Sequence, residues 1–272
     1  MSLPPEGAPP QGVPPEDRLP EAAPDPLRAF ISRSLRAEVT DVSEAIIRDT
    51  TAGEIDRVSF TQDGVRRSLV ISRVPHAAAL EVRLLPHLAR KSPHVPRVHA
   101  RGIPPATASG WPWLLIEDLL DAPGAGDDPV GIVRAKAAIE LAVAADGPAL
   151  TALGVPRRPA AGALAGWPEA LVHGALSGGA AVRLERGIVL VGWRDAYLGC
   201  GLLDVAALAC DADLPPGPLF AAYGEAVGRP IGADLVAAAM EASGRMAEPS
   251  RVGDRGGSAV EESPGSTGQG SG

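Results

Sequence analysis

Lysine is almost missing from this chain. Of 25 basic residues only Lys91 and Lys136 are lysines, so any role that needs an amine has two candidates. A GC-rich coding sequence accounts for the bias. Aromatic residues are scarce too, nine in 272, and a core must therefore be built from Ala, Val and Leu. The two cysteines, Cys200 and Cys210, make neither a CxxC pair nor a disulfide framework, which points to a reducing, cytoplasmic setting. No uncharged apolar run reaches the roughly 18 residues of a membrane-spanning helix. The N-terminus also lacks the basic-then-apolar order of a secretion signal. A net charge of −8 argues against nucleic acid and anionic membranes as partners. The histidines are scattered, with His87, His94 and His99 reading as surface or loop residues, and no metal site is expected.

What is present divides the chain. Residues 1–26 hold nine prolines and read as a disordered arm, a solvated spacer or a docking peptide for an SH3-like module. Residues 247–272, rich in Gly and Ser, are too poor in apolar residues to fold. Between them, "DPLRAFISRSLRA" puts Leu27, Phe30, Ile31 and Leu35 on one helical face, with Asp25 as N-cap. Two β-like runs, "IDRVSF" and "RSLVISRV", flank Asp63-Gly64, a hairpin signal. Leu80, Leu84 and Leu88 mark a helix that Pro86 should kink or end. "HVPRVHARG" and "WPWLLIEDLL" read as further strands. After "DAPGAGDDP" the pattern turns helical, with Ile132, Ala135, Ile139 and Val143 facing inward; "GIVLVGW" is a strand, and two helices close the fold. A strand-rich part (27–117) followed by a helix-rich part (118–246) predicts an α+β protein of two lobes.

One segment carries a family likeness. Residues 171–208 read "LVHGALSGGAAVRLERGIVLVGWRDAYLGCGLLDVAAL", preceded by a hairpin, a helix containing Glu81 and the strand "WLLIEDL". This order resembles the aminoglycoside phosphotransferase family, protein-kinase relatives that phosphorylate small hydroxylated molecules. There the corresponding segment runs close to "HGDLHPGNVLV…VVLIDWEDAGLGDPLLDLA". The resemblance implies a protein-kinase-like fold with a small β-rich N-lobe and a mostly helical C-lobe. It also implies four chemical parts: a strand lysine paired with a helix glutamate, an aspartate facing the substrate hydroxyl, and an asparagine and an aspartate holding magnesium.

Most of these parts are replaced. The lysine position is Ser72, the hydroxyl-facing aspartate is Ala175, the asparagine is Ala180 and the metal aspartate is Gly192. Retained are Glu81, His173 and Asp204, the last matching an aspartate that holds the catalytic-loop backbone in the family. Glu117, Asp118 and Leu119 fall at the hinge, whose backbone would contact adenine. Arg73 is a candidate phosphate clamp, although its neighbour Ser72 must face the other way. Glu81 is either a charged helix face or a partner of such an arginine. Asp195 is a turn residue or a displaced chelator. Ser177 is a possible hydrogen-bond donor.

The expected function is a catalytically impaired, pseudokinase-like protein that acts by binding or regulation, with an unidentified protein or small molecule as partner and no cofactor. The alternative is an atypical phosphotransferase moving the γ-phosphate of Mg-ATP to a hydroxyl of an aminoglycoside or similar amino alcohol. A third reading has an acidic cleft sequestering a cationic amine or sugar.

Overall fold

The computed structural model describes residues 25–51, 53–104 and 110–247. It opens with α1 (Pro26–Leu35), where the Asp25 carboxylate accepts from Leu27 N–H at 3.0 Å and Pro26 supplies the first turn. The helix therefore starts inside the segment expected to be unstructured. Residues 1–24 and 248–272, the bulk of the expected disordered ends, lie outside the described residues. Ile31 of α1 is buried in a small core with Val39, Val58, Phe60, Leu69, Ile71 and Leu115.

That core lies on one face of an antiparallel five-stranded sheet of order β1-β2-β3-β5-β4, made of β1 (Thr40–Thr50), β2 (Gly53–Gln62), β3 (Val65–Arg73), β4 (Val98–Gly102) and β5 (Trp113–Glu117). Asp63 and Gly64 both take positive φ, 51° and 74°, as a two-residue turn matching the strand twist requires. Strand β1 was not anticipated from the sequence. It is an edge strand, exposed along nearly its whole length, with Ile46 and Ile47 in solvent. Burial imposes no alternation on such a strand, so "TDVSEAIIRDT" shows none.

Helix α2 (Leu80–Ala89) continues through Pro86 for one more turn, so of the kink or early end expected there the early end does not occur at the proline. Proline withholds the N–H that would bond the carbonyl four residues back, Val82 O. Arg101 of β4 supplies a donor instead, its Nη1 lying 3.5 Å from Val82 O and 3.4 Å from Arg83 O. Tertiary contact replaces the local bond. His87, on α2 rather than in a loop, and His94, in the loop that follows as expected, are half-buried and tie this region to the second lobe. His87 Nε2 is 2.8 Å from Asp146 Oδ2, and His94 Nδ1 donates to Ile188 O at 2.8 Å. His99 is exposed on β4.

Beyond Glu117 the chain turns helical around α3 (Pro129–Ala142) and α4 (Gly147–Ala152). It then adds two hairpin-like pairs: β6 (Glu169–Val172) with β9 (Tyr197–Cys200), and β7 (Ala181–Leu184) with β8 (Gly187–Leu190). Helices α5 (Leu202–Asp211), α6 (Pro216–Val227) and α7 (Ala233–Ala247) complete it. Ile132, Ala135, Ile139 and Val143 are buried in the larger core, which is built from small and branched residues around few aromatics. The result is a two-lobed α+β fold. Among the described residues no helix is long and apolar enough to cross a membrane.

Candidate functional site

The lobes enclose a cleft of about 760 Å³. Ser72, Glu81, Glu117, Leu119, His173, Ala175, Ala180 and Gly192 all line it, although they are spread over the sequence from β3 to the turn after β8. Asp118 is not among the lining residues. It faces Arg57, whose Nε lies 2.7 Å away, and accepts from Leu120 N–H at 3.0 Å. Leu119 O accepts from Ala122 N–H at 3.1 Å, while the Leu119 N–H makes no backbone hydrogen bond among the described residues.

Asp204, on the first turn of α5, shapes the loop after β6. Its carboxylate accepts from His173 N–H at 2.6 Å and Gly174 N–H at 3.0 Å. Gly174 has φ 85°, and a Cβ there would come within 2.2 Å of Asp195 O, so no larger residue fits. His173 Nε2–H donates to Val191 O at 2.9 Å and its ring packs 4.6 Å from that of Trp193; its Nδ1 is buried with no hydrogen-bond partner among the described residues.

Behind Asp204 lies a buried ionic cluster that sequence reasoning missed. Lys136, 1% exposed, contacts Glu140 and sits 3.5 Å from Asp204 Oδ2. It also donates to Gly201 O at 3.1 Å, and Tyr223 O–H donates to Glu140 at 2.6 Å. Burial pushes the Lys136 ammonium down to about 8, against the opposing pull of Asp204. Burial likewise pushes the Tyr223 hydroxyl up. A signal existed in the sequence. Lys136 and Glu140 sit four residues apart beside Ile132, Ile139 and Val143, on a face too apolar to hold them unpaired. One of the chain's two lysines thus supports the loop from beneath rather than facing the cleft.

At the lysine position, Val70 and Ser72 of β3 line the cleft, while Leu69 and Ile71 are buried in the small core on the other face; Arg73 does not line the main cleft but borders a smaller recess beside it. Arg73 is committed there. It contacts buried Asp56, and its guanidinium lies 2.9 Å from Glu54 and 3.4 Å from Glu44. It is therefore neither the phosphate clamp nor the partner of Glu81 that the sequence allowed. Glu81 instead accepts from Trp193 N–H at 2.9 Å, which anchors the turn after β8 to α2. Burial raises its pKa, opposed by that backbone donor and by the charge of Arg194.

The remaining cleft carboxylates are few. Glu117 is held by two guanidinium nitrogens of Arg186, one at 2.9 Å, and by Arg97 N–H at 2.7 Å. Asp195 stands in the short turn Trp193–Asp195, on the cleft wall with Ser177. Among the described residues no group of three His, Cys, Asp or Glu could hold a metal ion. Arg48 and Arg194 also line the cleft, beside Glu81, Glu117 and Asp195.

Residues 46–159 match the model of the phosphotransferase enzyme family known as APH. The match ends before the loop that carries His173. No curated protein matches in sequence. Among solved structures, similar folds include a choline kinase from Cryptosporidium parvum (8% identity, TM-score 0.56, covering 80% of this chain and 86% of that one). A macrolide 2'-phosphotransferase from Brachybacterium faecium shares 16% identity at TM-score 0.54, over 79% and 87% of the two chains. An aminoglycoside phosphotransferase homologue from Ralstonia eutropha JMP134 gives 14% and 0.53, over 79% and 84%. The chain has the kinase-like fold of the aminoglycoside phosphotransferases, and its residues 46–159 carry the sequence match to that phosphotransferase family.

Proposed function

We propose that this chain is a catalytically impaired, kinase-like protein that works by binding or regulation rather than by phosphoryl transfer. The observation that carries the reading is the convergence of Ser72, Ala175, Ala180 and Gly192 on one cleft, none with the group that transfer needs, while Glu81 is engaged by Trp193 N–H. Magnesium seeks hard oxygen donors in near-octahedral array. Ala180 and Gly192 bring no side-chain oxygen, Glu117 is held by Arg186, and Asp195 alone is no cage. The donor set does not fit the metal that the family's chemistry uses, and no reaction step is assigned through it.

The second reading, an atypical small-molecule phosphotransferase, draws on the family match and on the fold shared with a choline kinase and a macrolide phosphotransferase. It would have to work without Arg73, which three carboxylates hold. The free thiols of Cys200 and Cys210 support a reducing, cytoplasmic compartment. The partner is a small molecule or a protein, with nucleic acid and membranes disfavoured by the acidic charge.

A phosphoryl-transfer assay with Mg-ATP over aminoglycosides, amino sugars and choline-like alcohols tests the reading. No product is expected, and turnover on any of them refutes it. A constructive arm combines Ser72→Lys, Ala175→Asp, Ala180→Asn and Gly192→Asp. Gly192 has φ 82° and open space for a Cβ, and aspartate tolerates that region. The combined variant should gain magnesium-dependent ATP binding.

A further inference from the structure

We propose that the cleft holds a phosphate-bearing organic anion without a divalent cation, through Arg48 and Arg194. This deepens the impaired-transfer reading and rests on it.

Arg48 stands on β1, the strand the sequence did not reveal. Arg48 pairs with Ile55, Ile55 with Ser72, and Ser72 with Leu114. Residues directly opposite one another share a face of the sheet. Arg48 therefore stands in the same cross-strand row as the vacated lysine position, two strands away, or about 10 Å between backbones. All four residues of that row line the cleft. Arg194 comes from the other lobe, two residues past Gly192. The two arginines, Ser72 and Glu81 also share a smaller adjoining recess of about 170 Å³, which the paired Arg73 and Glu54 border as well. A cation from each lobe thus faces the place where the family sets its lysine and metal.

Other arginines nearby are spoken for: Arg73 by Asp56 and Glu54, Arg186 by Glu117. Among the described residues Arg48 and Arg194 form no ion pair or side-chain hydrogen bond; Arg194 acts on Glu81 only at longer range. The acidic groups lining the same cleft and recess are Asp195, Glu117, held by Arg186, Glu54, already bound to Arg73, and Glu81, which accepts from Trp193 N–H and whose pKa burial raises. Toward the hinge the wall is apolar, formed by Val70, Leu114, Ile116, Leu119 and Val182. The cleft therefore suits a ligand with a flat apolar body at the hinge and an anionic group between the arginines. Guanidinium forks match phosphate oxygens with paired hydrogen bonds. Magnesium would compete for those oxygens and find no anchoring side chain, so metal should weaken binding.

Calorimetry with ADP in EDTA and in MgCl2, with adenosine as the phosphate-free probe, tests this. Binding of ADP in EDTA, weakened by magnesium, with adenosine at least about tenfold weaker, is expected. Arg48→Gln and Arg194→Gln should each weaken ADP roughly tenfold, leaving adenosine affinity and thermal unfolding unchanged. Tightening by magnesium, adenosine as tight as ADP, or indifference to both substitutions overturns the inference. Absence of ADP binding in either buffer also overturns it, yet leaves the impaired-transfer reading standing. Magnesium-dependent binding with turnover in the transfer assay overturns both.

Discussion

Replacing Lys136 by Met removes the cation from a buried cluster while keeping its volume. Nζ contacts Glu140, Asp204 and Gly201 O, and the lysine is 1% exposed, so both carboxylates lose their counter-charge in a place that water does not reach. Breaking one partner out of a buried ionic group costs about 3–5 kcal/mol. The lower end applies here. Asp204 keeps two backbone N–H donors and Glu140 keeps the Tyr223 hydroxyl. Against a total domain stability of about 5–15 kcal/mol, that is a severe loss. Urea unfolding at pH 7 should show it, with faster amide exchange at His173 and Gly174, whose N–H groups depend on Asp204. Adding Glu140→Gln keeps an acceptor for Tyr223 and removes one uncompensated charge, and should recover a substantial part of the loss. A cost below about 1 kcal/mol, or a double variant no better than the single one, would refute the claim that this cluster supports the loop.

Glu81→Ala strips Trp193 N–H of its acceptor and should cost about 1–3 kcal/mol in denaturant unfolding, whereas Glu81→Gln retains an acceptor and should cost less. Because burial raises the Glu81 pKa above its usual 4.5, the folded state holds that proton more tightly than the unfolded chain. Its contribution to stability is thus full at low pH and lost as pH rises through the folded-state value. Glu81→Gln should flatten that slope in a pH series of melting temperatures. Arg73→Gln, by uncovering buried Asp56, should cost about 3 kcal/mol yet weaken ADP far less than Arg48→Gln does. A loss of ligand affinity at preserved stability would instead put Arg73 in the site.

The parts of the fold that were legible are those whose signal is local. The Asp25 cap, the Asp63-Gly64 turn and the inward face of α3 each follow from a few adjacent residues obeying helix or hairpin geometry. Strand β1 was invisible because an exposed edge strand meets no burial constraint that would pattern it. That α2 continues past Pro86 was not legible because the donor replacing its lost bond, Arg101, is 15 positions away on another strand. In the site, missing side chains could be read directly, since an alanine or glycine cannot chelate or accept a proton wherever it lies.

Residue identity alone therefore determined what the cleft lacks: lysine at 72, carboxylate at 175 and 192, amide at 180. Only the tertiary structure decided what the retained and unassigned groups do, because charge pairing is settled by distance through space. It gave Arg73 to Asp56, Glu81 to the Trp193 backbone and Lys136 to the support of Asp204. It also placed Arg48 and Arg194 on the wall of one cleft, from strands and turns that the sequence keeps far apart.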